Sequence, residues 1–146
     1  MIREARRNDL YGLLKLYTQL HKNPMPDDYT AAQRVWEQIF ADDNHHIIVA
    51  EENGMLIASC VMVVIPNLTN NQRPYALIEN VITDAAFRRR GYASACLDFA
   101  RDIAEAAGCY KLMLMTGSKS EGTLRFYERA GYNRKDKTAF IQWLNK

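Results

Sequence analysis

A mixed α/β fold, its sheet antiparallel at first and parallel around a later crossover, is what the residue pattern of this chain predicts. Three observations point to it. Two β-rich runs, HIIVAEE and MLIASCVMVVI, meet at Asn53-Gly54, a dipeptide that favours a type I′ hairpin turn. A third apolar run, Tyr75 to Thr83, passes through a glycine-containing turn into an amphipathic helix and then a short buried strand, the order of a parallel crossover. The 146 residues, 48% of them hydrophobic, suffice for one continuous core and are too few for two ordinary domains, so residues 1–146 are expected to form one domain.

In chain order, Ile2 to Ala5 reads as a short strand. Asn8 or Asp9 then caps a helix whose Leu10, Leu13, Leu14, Tyr17 and Leu20 recur at helical spacing. Two prolines make Lys22 to Asp27 irregular, and a second helix follows with Val35, Trp36, Ile39 and Phe40 facing inward. After the hairpin, the loop IPNLTNNQRP leads to the strand Tyr75 to Thr83. Tyr92, Ala95, Cys96, Phe99, Ala100, Ile103 and Ala107 line one side of the next helix, which Gly108 stops. Lys111 to Met115 is a short buried strand. Ser118 and Glu121 have capping-box spacing before a helix that runs through Phe126 and Tyr127 to Ala130 and ends at Gly131. A last strand is expected at about Thr138 to Leu144.

Nineteen basic and seventeen acidic residues give a formal charge of +2, too balanced for a chain that holds nucleic acid by its overall field. Cys60, Cys96 and Cys109 are odd in number, form no C-x-x-C pair and lie in apolar settings, which fits a reducing cytoplasm. The N-terminus lacks the apolar core of a signal peptide, and no run approaches the roughly 20 apolar residues of a membrane helix. A cytoplasmic protein with no membrane partner is expected. Adjacent His45 and His46 on a strand point to opposite faces, and no spaced ligand set completes a metal site, so no metal is expected.

Basic charge concentrates where strand gives way to helix, in FRRRGYASACL. Free backbone N–H groups at a helix start, backed by the helix dipole, favour a bound phosphate. Gly91 allows close backbone approach, and Ala93 and Ser94 are small enough not to obstruct a large phosphate-bearing ligand. Arg88, Arg89 and Arg90 add charge-assisted donors. A solvated basic loop is the plainer reading of three arginines alone; the order strand, glycine, small residues, helix favours the phosphate site.

Three segments together resemble the GNAT superfamily of acyl-CoA-dependent N-acetyltransferases, and the resemblance covers nearly the whole chain. Arg88-Arg89-Arg90-Gly91-Tyr92-Ala93 fits the family's Q/R-x-x-G-x-G/A pyrophosphate loop. The strand ending Val81-Ile82-Thr83-Asp84 matches the one whose backbone holds the acetyl and pantetheine parts of the cofactor, and LRFYERAGY is similar to the F-Y-x-x-x-G-F/Y segment. The resemblance implies a three-layer fold, with a mostly antiparallel mixed sheet of six to seven strands splayed at the cofactor site and about four flanking helices. It also implies acetyl-CoA as co-substrate, bound by Val81, Ile82, Thr83, Arg88, Arg89, Arg90, Gly91, Tyr92, Ala93, Ser94, Ser120 and Thr123. Ser120 and Thr123 depart from the family's usual Asn and Ala. Many relatives of this size dimerise, and the terminal strand offers a means. Ile78-Glu79-Asn80-Val81 and Gly108-Cys109-Tyr110-Lys111 are similar to segments of glucosamine-phosphate N-acetyltransferases, which carry an acidic residue where Asn80 stands.

Moving an acetyl group from a thioester to an amine requires a neutral amine, a polarised carbonyl and a proton for the leaving thiolate. A lysine-like amine has a pKa of about 10.4 and must lose a proton first. Glu79 is the only carboxylate within the apolar body of its strand. It either faces the cleft as that base, or pairs with an arginine or solvent on the other side of the pleat. Backbone N–H groups near Ile82 and Thr83 would polarise the carbonyl. The resemblance places Tyr127 beside the cofactor sulfur, and a phenol of pKa about 10 carries the proton needed there. His21, Asn23, Asp28 and Tyr29 lie near the proline-containing loop and are candidate acceptor contacts. The expected activity is direct transfer from acetyl-CoA to a small-molecule or peptide amine. An aminosugar-phosphate acetyltransferase and a non-catalytic acyl-CoA-binding module are the alternatives.

Overall fold

The computed structural model describes residues 1–145. Its single sheet runs β1 (Ile2–Glu4), β2 (His45–Glu52), β3 (Met55–Ile65), β4 (Tyr75–Thr83) and β5 (Leu112–Leu114), in that spatial order. The first four strands are antiparallel neighbours and β5 lies parallel to β4. The helices are α1 (Leu10–Tyr17), α2 (Thr30–Ala41), a one-turn α3 (Thr69–Gln72), α4 (Tyr92–Ala106) and α5 (Glu121–Arg129). At the β2–β3 hairpin, Asn53 and Gly54 have φ of 51° and 77°, the pair of positive values that a type I′ turn demands.

The layers follow from alternation along the strands. Ile48, Cys60, Met62, Ala76 and Ile78 face α4, whose Cys96, Leu97, Ala100 and Ala104 close a buried cluster. Ile47, Val49 and Val61 face the other way onto Leu13 of α1 and Trp36 of α2. Trp36 hides its ring, and its indole N–H donates to the Arg7 carbonyl at 3.0 Å. Val35, expected inward, is exposed because one helical step rotates it off the stripe that Trp36 occupies. Arg3 ties β1 down by donating to both Asp9 (2.7 Å) and Glu51 (2.5 Å). Burial acts to raise the Asp9 pKa, but hydrogen bonds from Arg3 and the Arg6 backbone outweigh it and hold the carboxyl below its ordinary value.

Several local expectations are corrected. Among the described residues five strands form, not six or seven, and the run Thr138 to Leu144 is not a strand. Its Phe140, Ile141, Trp143 and Leu144 are between 65% and 90% exposed. A strand exists only by pairing, and this segment has no neighbour within its own chain. One helix more than expected forms, because Asn70 and Asn71 turn with left-handed φ after Thr69. The Ser118–Glu121 capping box is absent: Ser120 is the N-cap of α5, and the Ser118 hydroxyl instead donates to Thr123 at 3.2 Å. All three cysteines are free, Cys60 and Cys96 buried and Cys109 half-buried. Burial pushes the Cys60 thiol up and the Cys96 thiol to about 12, so both are neutral core residues. No helix among the described residues is long and apolar enough to cross a membrane.

Candidate active site

The site grows from two interruptions of β4. The first is a bulge. Between Val61↔Glu79 and Ser59↔Ile82 the pairing with β3 slips, and Asn80 takes φ +53°. Asn tolerates that conformation better than most residues, and the slip leaves Glu79 and Asn80 exposed side by side in a strand that otherwise alternates. The Tyr17 phenol at the end of α1 lies against Asn80 and the fully buried Ser59, whose hydroxyl donates to the Ile48 carbonyl at 2.7 Å. Burial raises the Tyr17 pKa to about 12, against the influence of the neighbouring polar side chains of Asn80 and Ser59, which lower it.

The second interruption is a parting of strands. β4 and β5 pair only from Ala76↔Leu112 to Ile78↔Leu114, whereas β4 runs on to Thr83. From Glu79 onward the edge of β4 that faced β5 has lost its partner strand, so its backbone groups are open to an extended ligand. Val81, Ile82 and Thr83 occupy this stretch.

The basic loop follows directly. Asp84 accepts from the Ala86 amide at 2.8 Å and its own amide donates to Ile57 at 2.7 Å. The Arg88 side chain folds back toward the Thr83 carbonyl at 3.4 Å, and Arg90 stacks over the Phe87 ring at 5.3 Å. All three arginines are exposed. Gly91 is the N-cap of α4 with φ +83°, and a methyl group built on it would meet no atom within 4 Å. The space beside it is open, next to the first-turn amides of Tyr92, Ala93 and Ser94. The donor set suits a pyrophosphate: helix N–H groups, cationic side chains and room for close approach.

Tyr127 enters from α5. It packs against the buried cluster that Val81 and Tyr92 also contact, so three segments distant in sequence converge there. Its ring meets Phe126 at 5.0 Å and Tyr132 at 6.4 Å between centroids. Burial, with Cys60 adding to it, pushes the Tyr127 pKa above the ordinary phenol value, so the group is a proton carrier at neutral pH. Tyr132, the last residue of the LRFYERAGY segment, buries a hydroxyl with no hydrogen-bond partner among the described residues. Glu79 lies on the α1–α2 face of the sheet, beside Val61, while Tyr127 belongs to the α4–α5 layer. No ion pair to Glu79 forms among the described residues, which removes the arginine-paired alternative.

Other expected residues have local duties. Ser120 is exposed and makes no capping bond, but Thr123 accepts from Ser118. Asp28 accepts from the Thr30 amide and hydroxyl at 2.8 and 2.7 Å, starting α2, and Tyr29 packs edge-on against Tyr11. Asn23 donates to the Leu20 carbonyl. His46 bonds Glu4 at 2.7 Å. Cavities of about 250 and 510 Å³ sit beside α2, lined respectively by residues such as Phe40 and His45 and by Tyr11 and Trp36. Neither includes β4, the basic loop or α5. Sequence reasoning missed Tyr17 and the bulge; the polar pair Glu79-Asn80 inside an apolar strand was the available signal.

Residues 9–132 match the model of the acetyltransferase (GNAT) family. A protein from Agrobacterium tumefaciens str. C58, proposed to be an acetyltransferase, is 37% identical with a TM-score of 0.90, covering 98% of this chain and 99% of its own. Glucosamine-6-phosphate N-acetyltransferase from Arabidopsis thaliana has a TM-score of 0.85 at 26% identity, with 99% and 98% of the two chains covered. The glucosamine 6-phosphate N-acetyltransferase of Trypanosoma brucei brucei is 30% identical over 82 residues, 56% of this chain and 54% of that protein. The chain spans between about half and three fifths of the length of two curated relatives that it matches. With its parted β4–β5 strands, its glycine-opened helix start and a family match covering both, the chain belongs to the acetyltransferase (GNAT) family.

Proposed function

We propose that this protein transfers an acetyl group from acetyl-CoA to a primary amine by direct attack within a ternary complex. The observation that carries this reading is the end of β4–β5 pairing at Ile78↔Leu114, followed at the end of β4 by the Gly91 cradle. Arg88, Arg89, Arg90 and the first-turn amides of Tyr92, Ala93 and Ser94 hold the pyrophosphate. The free edge of Val81, Ile82 and Thr83 holds the pantetheine chain and polarises the thioester carbonyl. Glu79 takes a proton from the acceptor ammonium, directly or through water. The amine nitrogen then bonds to the carbonyl carbon, the C–S bond breaks and the Tyr127 phenol donates its proton to the thiolate; the second proton, shed by the nitrogen as it becomes an amide, passes through water to the Tyr127 phenolate, and Glu79 returns its proton to solvent. Because Glu79 and Tyr127 stand on opposite faces of the sheet, amine and thioester approach the strand gap from opposite sides.

An aminosugar phosphate is the acceptor class favoured by the names of the relatives and by the IENV and GCYK segments. Thiol release from acetyl-CoA, measured over polyamines, amino acids, peptides and aminosugar phosphates including glucosamine 6-phosphate, identifies the acceptor. Tight cofactor binding with no acceptor-dependent release anywhere would make the chain a binding module instead. With a working acceptor, Glu79→Gln is expected to lower kcat by roughly a hundredfold near neutral pH. That deficit shrinks as pH rises toward the amine pKa, since the amine then loses its own proton; a deficit independent of pH would remove Glu79 from the role of base.

We also infer that a second copy of this chain receives the apolar tail. Phe140, Ile141, Trp143 and Leu144 are left exposed, and the sheet ends on the unpaired outer edge of β5, so reciprocal exchange satisfies both deficits at once. Sedimentation velocity at micromolar concentration is expected to show a dimer that the combined change Phe140→Asp, Trp143→Asp converts to monomer. A wild-type monomer would refute the exchange.

A further inference from the structure

The residue that closes the junction between β4 and the basic loop comes from far away in sequence. Gln19 follows α1, yet its amide nitrogen donates to the Asp84 carboxylate at 3.0 Å and its amide oxygen accepts from the Ala85 backbone N–H at 2.9 Å. Asp84 in turn caps the turn that launches the loop. Its second oxygen takes the Ala86 amide at 2.8 Å and its carbonyl takes the Phe87 amide at 2.8 Å. Thus each N–H from Ala85 to Phe87 is satisfied within the protein, which leaves the amides nearer Gly91 as those available to a ligand. Two residues earlier, Tyr17 lies against Asn80 at the bulge. The end of α1 therefore grips β4 at both limits of its exposed stretch, beside Glu79 and at Asp84.

We propose that Gln19 is a positioning residue of the donor site: its two-sided amide fixes the Asp84–Ala85 turn and so aims the basic loop and the start of α4 at the pyrophosphate. The proposal rests on reading that loop as the CoA grip. A carboxamide fits the pairing, because one end donates to a carboxylate while the other accepts from a backbone amide. Gln19 is exposed and belongs to neither buried cluster, so its replacement spares the fold and acts through the loop.

The test is CoA binding by titration calorimetry across pH 5 to 8, with thermal midpoints recorded for every variant. Gln19→Ala is expected to weaken CoA roughly fivefold to fiftyfold, the span for losing two hydrogen bonds that set one turn. Gln19→Glu keeps the length and the acceptor but sets a carboxylate against Asp84. Its defect relative to wild type is expected to be largest at pH 8 and to shrink toward pH 5, where a proton shared between the two carboxyls restores the donor. Gln19→Ala has no such titration, and a merely structural role would not produce one. Wild-type affinity in Gln19→Ala, or a Gln19→Glu defect that does not change with pH, overturns the proposal while leaving the CoA reading intact. Failure of the wild type to bind CoA overturns both.

Discussion

Tyr127→Phe is expected to lower kcat by roughly tenfold to ten-thousandfold, the span for a single proton-transfer group, with CoA affinity little changed. The physical grounds are separable. The phenylalanine ring keeps the packing on Phe126 and Tyr132, so thermal stability should stay near that of the wild type. Only the hydroxyl is lost. Burial raises the phenol pKa, which means that the acid form persists to higher pH than for a free tyrosine. Loss of activity through Tyr127 ionisation should therefore begin at higher pH than for an ordinary tyrosine. Single-turnover thiol release under conditions where chemistry limits the rate is the decisive measurement. An unchanged rate there would assign Tyr127 to packing alone, as a member of the aromatic cluster with Tyr132.

The second large effect is at Gly91. Its φ of +83° suits glycine, and the space in front of it is empty of protein atoms. Gly91→Leu therefore strains the backbone by about 1–2 kcal/mol without a steric clash inside the protein. The new side chain instead enters the space from which a phosphate would meet the helix amides. CoA affinity should fall by roughly tenfold to a thousandfold, about 1.4 to 4 kcal/mol, while the thermal midpoint falls only modestly. Gly91→Ala separates the two causes, since it carries the φ penalty with little bulk and should show the smaller loss. Normal CoA affinity in Gly91→Leu would show that the arginine loop is a solvated basic loop and not the pyrophosphate grip.

Both residues were legible in the sequence because each belongs to a short motif whose chemistry is local. A glycine between a strand and an amphipathic helix, preceded by arginines, needs no distant partner to be recognised, and FYERAG lies within one helix. Glu79 was legible as the lone carboxylate of its strand, but not its orientation. Strand alternation cannot be followed through a slip in pairing, and the slip at Asn80 is what places Glu79 and Asn80 on the surface together. Gln19 had no signal at all. A glutamine after a helix is usually a solvated side chain, and the residues that give this one meaning lie 65 and 66 positions away.

By itself, the sequence determined the hairpin at Asn53-Gly54, the order of the five strands and of α1, α2, α4 and α5, the apolar faces of α1 and α4 and the helix start opened by Gly91. Each depends on the intrinsic torsions of a few residues or on periodicity within one element, and such preferences survive in any context. The tertiary structure alone decided three things: where β4 leaves β5, which way Glu79 points, and that Thr138 to Leu144 is not a strand in its own chain. Each of these depends on pairing between separate segments. A strand edge is open or closed according to what lies beside it, and no local preference carries that information. The proposed donor site was therefore readable as a motif, whereas the open strand edge beside it and the contacts that the end of α1 makes there arise across the fold.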